Sequence, residues 1–104
     1  MKTKTRTKTR EEDQQDEYRY HPGNDILQII TANNMTKYYF SKLLDVSYTH
    51  IYLLTRKQKR ANLGIQVATK LEIATGIPVS YWMEKQSKYN MLKYPERYKY
   101  VRNL

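Results

Sequence analysis

The stretch TKYYFSKLLDVSYTHIYLLTR, residues 36–56, decides how this chain is read. Thr36 opens it, and Tyr39, Phe40, Leu43 and Leu44 recur at three- and four-residue steps, the spacing that lines apolar side chains along one face of a helix about two turns long. DVS, residues 45–47, breaks the pattern. YTHIYLL then resumes it, with Ile51 and Leu54 on one face and Tyr48, Thr49, Tyr52 and Leu53 pointing elsewhere. Two short helices joined by a compact turn are expected. Such a pair locks when a small residue sits at the crossing, apolar residues flank the turn, and the first turn of the second helix stays exposed. Ser41 fits the small position, Phe40, Leu44 and Val46 flank the turn, and Ile51 and Leu54 hold the second helix.

Working outward, Asp25 is a candidate N-cap for an earlier helix whose apolar side is Ile26, Leu27, Ile29 and Ile30, followed by Met35. Downstream, TRKQKRAN is polar and strongly basic and reads as a loop. Asn62 can cap a fourth helix carrying Leu63, Val67, Ala68, Leu71 and Ala74, which Thr75-Gly76 stops. Pro78, with Ser80 as a local cap, restarts a short fifth helix that holds Tyr81, Trp82 and Met83, with Trp82 read as core. The expected fold class is all-α: a compact five-helix domain over residues 25–84.

Two extensions flank that domain. MKTKTRTKTR alternates base and threonine with nothing apolar after Met1, and EEDQQDE follows as an acidic block. No face of it has apolar residues to bury, so residues 1–24 are expected to form a flexible arm, with Pro22-Gly23 turning into the first helix. Residues 85–104 form a basic, tyrosine-rich extension, in which Pro95 argues against one unbroken helix.

Charge sets the class of partner. The net charge is +9 over 104 residues. In residues 1–17 five bases cancel five acids, so the excess falls on the remainder, where fourteen bases stand against five acids. A folded surface so charged attracts polyanions. There is no cysteine, and His21 and His50 lack acidic companions at ligand spacing, so neither a metal nor a cofactor is expected. With no His–acid pair and only Gly23, Gly64 and Gly76 as glycines, no phosphate-cradling loop and no enzyme are expected either. No run approaches a membrane span and the opening residues hold no signal-like apolar stretch, so the expectation is a cytoplasmic protein with no membrane partner.

Residues 25–84 resemble the phage Cro and repressor type of helix-turn-helix domain, also called lambda repressor-like. The family turn is commonly a glycine, an aliphatic residue and then Ser or Thr, which corresponds here to Asp45, Val46 and Ser47. The basic loop and the phrase KLEIATGIPVSYWM are also familiar from it. Asp45 stands where glycine is usual and Ser41 where alanine is usual; aspartate tolerates a left-handed turn and serine is still small.

The resemblance implies a sequence-specific double-stranded DNA binder, a repressor-like regulator of transcription encoded by a phage, mobile element or bacterium. It implies a nucleoid-associated homodimer on a two-fold site. Carried over by position, the base-reading face falls on Ser47, Tyr48, Thr49 and Leu53, with Tyr52 beside it. Lys37, Lys42, Arg56, Lys57, Lys59 and Arg60 surround it as candidate phosphate contacts. A second reading is an antitoxin or accessory module whose tyrosine-rich C-terminal segment holds a protein partner.

Overall fold

The computed structural model describes residues 18–98, and these are helical without a strand. The helices are α1 (Pro22–Ala32), α2 (Lys37–Leu44), α3 (Tyr48–Thr55), α4 (Ile65–Thr75), α5 (Val79–Lys93) and the single turn α6 (Pro95–Tyr98). The fold class is all-α. One core unites Ile26 and Ile30 of α1, Phe40 and Leu44 of α2, Ile51 and Leu54 of α3, Leu63, Val67, Ala68 and Leu71 around α4, and Trp82 of α5. Trp82 is fully buried and donates through Nε1 to the Ile77 carbonyl oxygen at 3.2 Å. Its ring therefore enters the core without an unsatisfied donor.

The α2–α3 connection is built from local bonds. Thr36 caps α2, its Oγ1 accepting from the Tyr39 N–H at 3.0 Å. At the other end Asp45 adopts the left-handed conformation, φ 59° and ψ 49°, where glycine would be at ease. Its N–H donates to the Lys42 carbonyl at 3.2 Å and the Val46 N–H to the Ser41 carbonyl at 3.0 Å, the paired bonds of a Schellman motif. Ser47 then caps α3. From α4, Lys70 Nζ donates to the Asp45 carbonyl oxygen at 2.6 Å, so a cation meets the carbonyl end of α2.

Several sequence expectations are corrected. The first helix begins at Pro22 and not after Asp25, which sits within its first turn. Proline suits the first helical position, where its missing N–H is no loss. His21 is the N-cap, its Nδ1 accepting from the Gly23 N–H at 2.9 Å. Residues 18–24 consequently do not belong to an arm: Tyr18, His21, Pro22 and Gly23 are buried. The expected arm proper, residues 1–17, lies outside the described residues, as do residues 99–104.

At the other end, the boundary expected between residues 84 and 85 falls inside α5. Trp82, Gln86 and Tyr89 recur on one face and are buried together, which carries the helix on to Lys93. Gln86 is a polar member of that face with well-placed partners. Its Oε1 accepts from the Leu63 N–H at 2.8 Å, and its Nε2 donates to Asn62 Oδ1 at 3.1 Å and Asn90 Oδ1 at 3.0 Å. Asn62 is thereby engaged, and Gly64 takes the N-cap position of α4 expected for it. Pro78, in place of Ser80, is the N-cap of α5. On α2 the buried face is Phe40, Ser41 and Leu44, whereas Tyr39 and Leu43 are exposed, as is Ala74 on α4.

Candidate nucleic-acid interface

α3 has two chemically opposite sides. Ile51 and Leu54 are 0% exposed, while Tyr48 and Tyr52 on the same two turns are 46% and 42% exposed. Ser47 and Thr49 are also exposed. The inward anchors fix the helix, and the outward residues keep much of their surface open. Ser47 has a local role, since its Oγ accepts from the His50 N–H at 3.1 Å, leaving its hydroxyl hydrogen to be donated elsewhere. Leu53 is half-buried, and its carbonyl accepts from the Ala61 N–H at 2.9 Å. Of the five sequence-derived reading residues, four share the exposed side and Leu53 lies at its edge.

The face extends onto α2 through a residue the sequence reading did not select. Tyr38 is 57% exposed, its ring centroid 6.4 Å from that of Tyr48, which in turn is 6.3 Å from that of Tyr52. The three rings form a row across the two helices. Lys42 Nζ lies 5.2 Å from the Tyr38 centroid and Lys37 Nζ 5.5 Å from that of Tyr52, within cation–π range. Burial, and secondarily Arg60, hold the Lys37 ammonium below its ordinary pKa. Ser41 lies behind the row, buried, with Oγ donating to the Tyr38 carbonyl at 2.6 Å. The four-residue step from Tyr48 to Tyr52 puts those two on one side of α3, but nothing in the sequence announces Tyr38 beside them; it joins the row because the turn folds α2 beside α3.

The basic loop divides into two kinds of cation. Lys57 and Lys59 are exposed. Arg56 and Arg60, expected at phosphates, are instead committed to the fold. Arg56 donates through Nε and Nη2 to the Lys59 carbonyl oxygen at 3.1 and 2.7 Å, closing the loop where Lys59 has φ 54°. Arg60 donates to the Arg56 carbonyl at 2.5 Å, to Asn24 Oδ1 at 2.7 Å and to the Thr55 carbonyl at 3.4 Å. Its guanidinium carbon also lies 4.4 Å from the Tyr18 ring centroid. A planar fork with five donors is suited to bracketing several carbonyls at once.

The N-terminal turn completes that bracket. The Arg60 N–H donates to the Tyr18 hydroxyl at 3.1 Å, and His21 Nε2 lies 3.0 Å from the Ala61 carbonyl oxygen. His21 packs edge-on against Tyr18 and Tyr89, at 5.6 and 4.8 Å between centroids. Burial pushes its pKa down to about 4, with the Ala61 hydrogen bond opposing the shift and Arg60 and Lys93 adding to it.

Tyr81 and the first part of the 85–104 segment are likewise spent on the domain. The Tyr81 hydroxyl donates to Asp25 Oδ2 at 2.5 Å, Lys85 Nζ stands 3.6 Å from Asp25 Oδ1, and the Tyr89 ring stacks on Tyr18 at 5.8 Å. Among the described residues no cluster of three or more His, Cys, Asp or Glu side chains has metal-binding geometry. None of the described helices is long and apolar enough to cross a membrane. No protein-family model, curated protein or solved structure matches the chain.

Proposed function

We propose that the chain is a sequence-specific double-stranded DNA-binding protein of the helix-turn-helix kind, a repressor-like regulator that lays α3 in the major groove. The observation that carries the reading is the division of α3 described above. A two-turn helix anchored by Ile51 and Leu54, preceded by a left-handed turn residue and a buried serine, presents Ser47, Tyr48, Thr49 and Tyr52 outward. Hydroxyls of Ser47 and Thr49 offer hydrogen bonds to base edges, and the Tyr48 ring and the exposed part of Leu53 offer apolar contact to thymine methyl groups. No Asn, Gln or Arg stands among the outward residues of α3, so bidentate base pairing is absent and groove shape carries a larger share of specificity.

Lys37, Lys42, Lys57 and Lys59 supply phosphate contacts around that face. Arg56 and Arg60 shape the loop from which two of these lysines project. One α3 covers little of the groove, so a homodimer placing two copies about 34 Å apart on a two-fold site provides the affinity a regulator needs. The test is selection of bound duplexes from a random pool by the full chain, followed by sedimentation of the complex. Recovery of a common two-fold sequence bound by two chains supports the proposal. Recovery of no common sequence overturns it.

A further inference from the structure

We infer that the Tyr38–Tyr48–Tyr52 row is a stacking platform for unpaired bases, so that the chain also binds single-stranded nucleic acid on its α2–α3 face. The inference shares with the proposed function only the premise that this face meets nucleic acid. A duplex uses the row poorly. Its bases are stacked on one another, so a helix in the major groove meets base edges and methyl groups, and a tyrosine ring makes a small contact there with most of its face uncovered. Yet all three rings are about half exposed, and neighbouring centroids are 6.3 and 6.4 Å apart. Tyr48 and Tyr52 are themselves stacked, with planes inclined by only 28°, so a base that stacks on the outer face of either ring extends a stack already begun. A run of exposed rings that every base can stack on is how single strands are held without regard to sequence.

The cations are placed to match. Lys42 lies over Tyr38 and Lys37 over Tyr52, so each end of the row joins a π face to a positive charge. When a base takes the ring, the ammonium can turn on its flexible stem to the adjoining phosphate. The same charges argue against a second copy of this chain as the occupant. Two such faces pressed together about a two-fold axis would set Lys37 and Lys42 against their own counterparts, with Asp45 the single acid on the α2–α3 segment to offset them. A polyanion with exposed flat rings answers both features of the surface.

The test titrates the full chain against a labelled oligothymidylate of about 16 nucleotides, the upper span of one small single-strand module. Tyr38→Ala, Tyr48→Ala and Tyr52→Ala are compared with the three Phe counterparts, and each variant is checked for an unchanged melting curve. Each alanine should weaken binding by between about 5-fold and about 150-fold at fixed salt. Each phenylalanine should stay within about 2-fold of the parent, because stacking needs the ring and not the hydroxyl. Absence of single-strand binding overturns the inference, as does binding that the alanine variants leave intact, which would be charge alone. A change in the oligomeric state of the free alanine variants also overturns it, since the row would then be covered by another copy. A duplex arm in the same titration keeps the two proposals apart: duplex binding without single-strand binding removes this one only, and the reverse removes only the major-groove reading.

Discussion

His21 and Ala61 are joined across 40 positions of sequence by a hydrogen bond of 3.0 Å from the imidazole Nε2 to the carbonyl oxygen. The other ring nitrogen accepts from the Gly23 N–H, so the neutral ring with its proton on Nε2 satisfies both neighbours. Protonating Nδ1 would set two donors against each other in a buried site.

The consequence is a stability that depends on pH in a definite direction. The folded-state pKa of His21 is held at about 4, below the ordinary 6.5, so the unfolded chain takes up the proton first. The contribution is fully present above about pH 6.5, declines as the pH falls toward 4, and has no further to fall beyond that. Its full size is on the order of 3 kcal/mol. Urea unfolding at half-unit intervals from pH 7.5 to 4 should show the decline, and His21→Gln should flatten it. A parent curve that matches the variant's in slope would sink the idea.

Gly23 should tolerate no side chain. On helix propensity alone Gly23→Ala would be a gain of about 1 kcal/mol. A β-carbon there would overlap the Leu54 carbonyl oxygen, a backbone atom at the end of α3 that cannot swing aside. The expected result is a loss of roughly 3 kcal/mol, the upper end of what overpacking costs, read as a lower urea midpoint. A stabilised variant would mean that α1 and α3 do not approach this closely.

Thr49 and Ile51 should separate specificity from stability. Thr49 is exposed, so Thr49→Ala should change folding stability by no more than roughly 0.5 kcal/mol. In competition against duplexes altered one pair at a time, it should cost roughly 1–3 kcal/mol of preference at one base pair per half-site. Ile51 is fully buried, and Ile51→Ala should cost roughly 2–5 kcal/mol of stability. Reversal of the pair would place α3 in the opposite rotation.

Arg60 and Lys59, adjacent in sequence, should behave as a structural and a binding residue respectively. Arg60→Ala leaves the Asn24 oxygen and two carbonyls without their donor and should lower stability by roughly 2 kcal/mol, on the scale of a lost charge-assisted bond. Lys59→Ala should leave the urea midpoint nearly unchanged and reduce the slope of log K against log salt by about 0.9 on duplex DNA. Equal slopes for parent and Lys59→Ala would remove that lysine from the phosphate contacts.

The parts of this molecule legible in its sequence are those whose reasons lie within a few residues. The helix opening at Thr36, the left-handed Asp45, the small Ser41 and the glycine stop at Gly76 are short patterns, and each sits where local chemistry places it. The inward Ile51 and Leu54 follow from helical spacing in the same way. The N-caps at His21 and Pro78 were missed although they are local, but most of what stayed hidden depends on partners far along the chain. Tyr18 and His21 look like the end of a polar arm until Arg60 and Ala61 are brought to them. Gln86 breaks an apolar pattern unless the Leu63 N–H is known to need an acceptor. Arg60 reads as one more surface base in a basic loop, because nothing in TRKQKRAN distinguishes an exposed cation from one that faces carbonyls.

The bonds between the N-terminal turn and the α3–α4 loop also set an order of assembly. The cap and turn bonds of α2 and α3 join residues no more than five apart and should form early, because little chain entropy is lost. The Tyr18–Arg60 and His21–Ala61 bonds close loops of about forty residues and should form late, after the elements between them have collapsed. Destabilising His21 should therefore speed unfolding and leave the refolding rate nearly untouched, whereas a change at the Asp45 turn should alter refolding. Stopped-flow rates for His21→Gln and for a variant at Asp45 would distinguish the two, and a large refolding defect in His21→Gln would reverse the order.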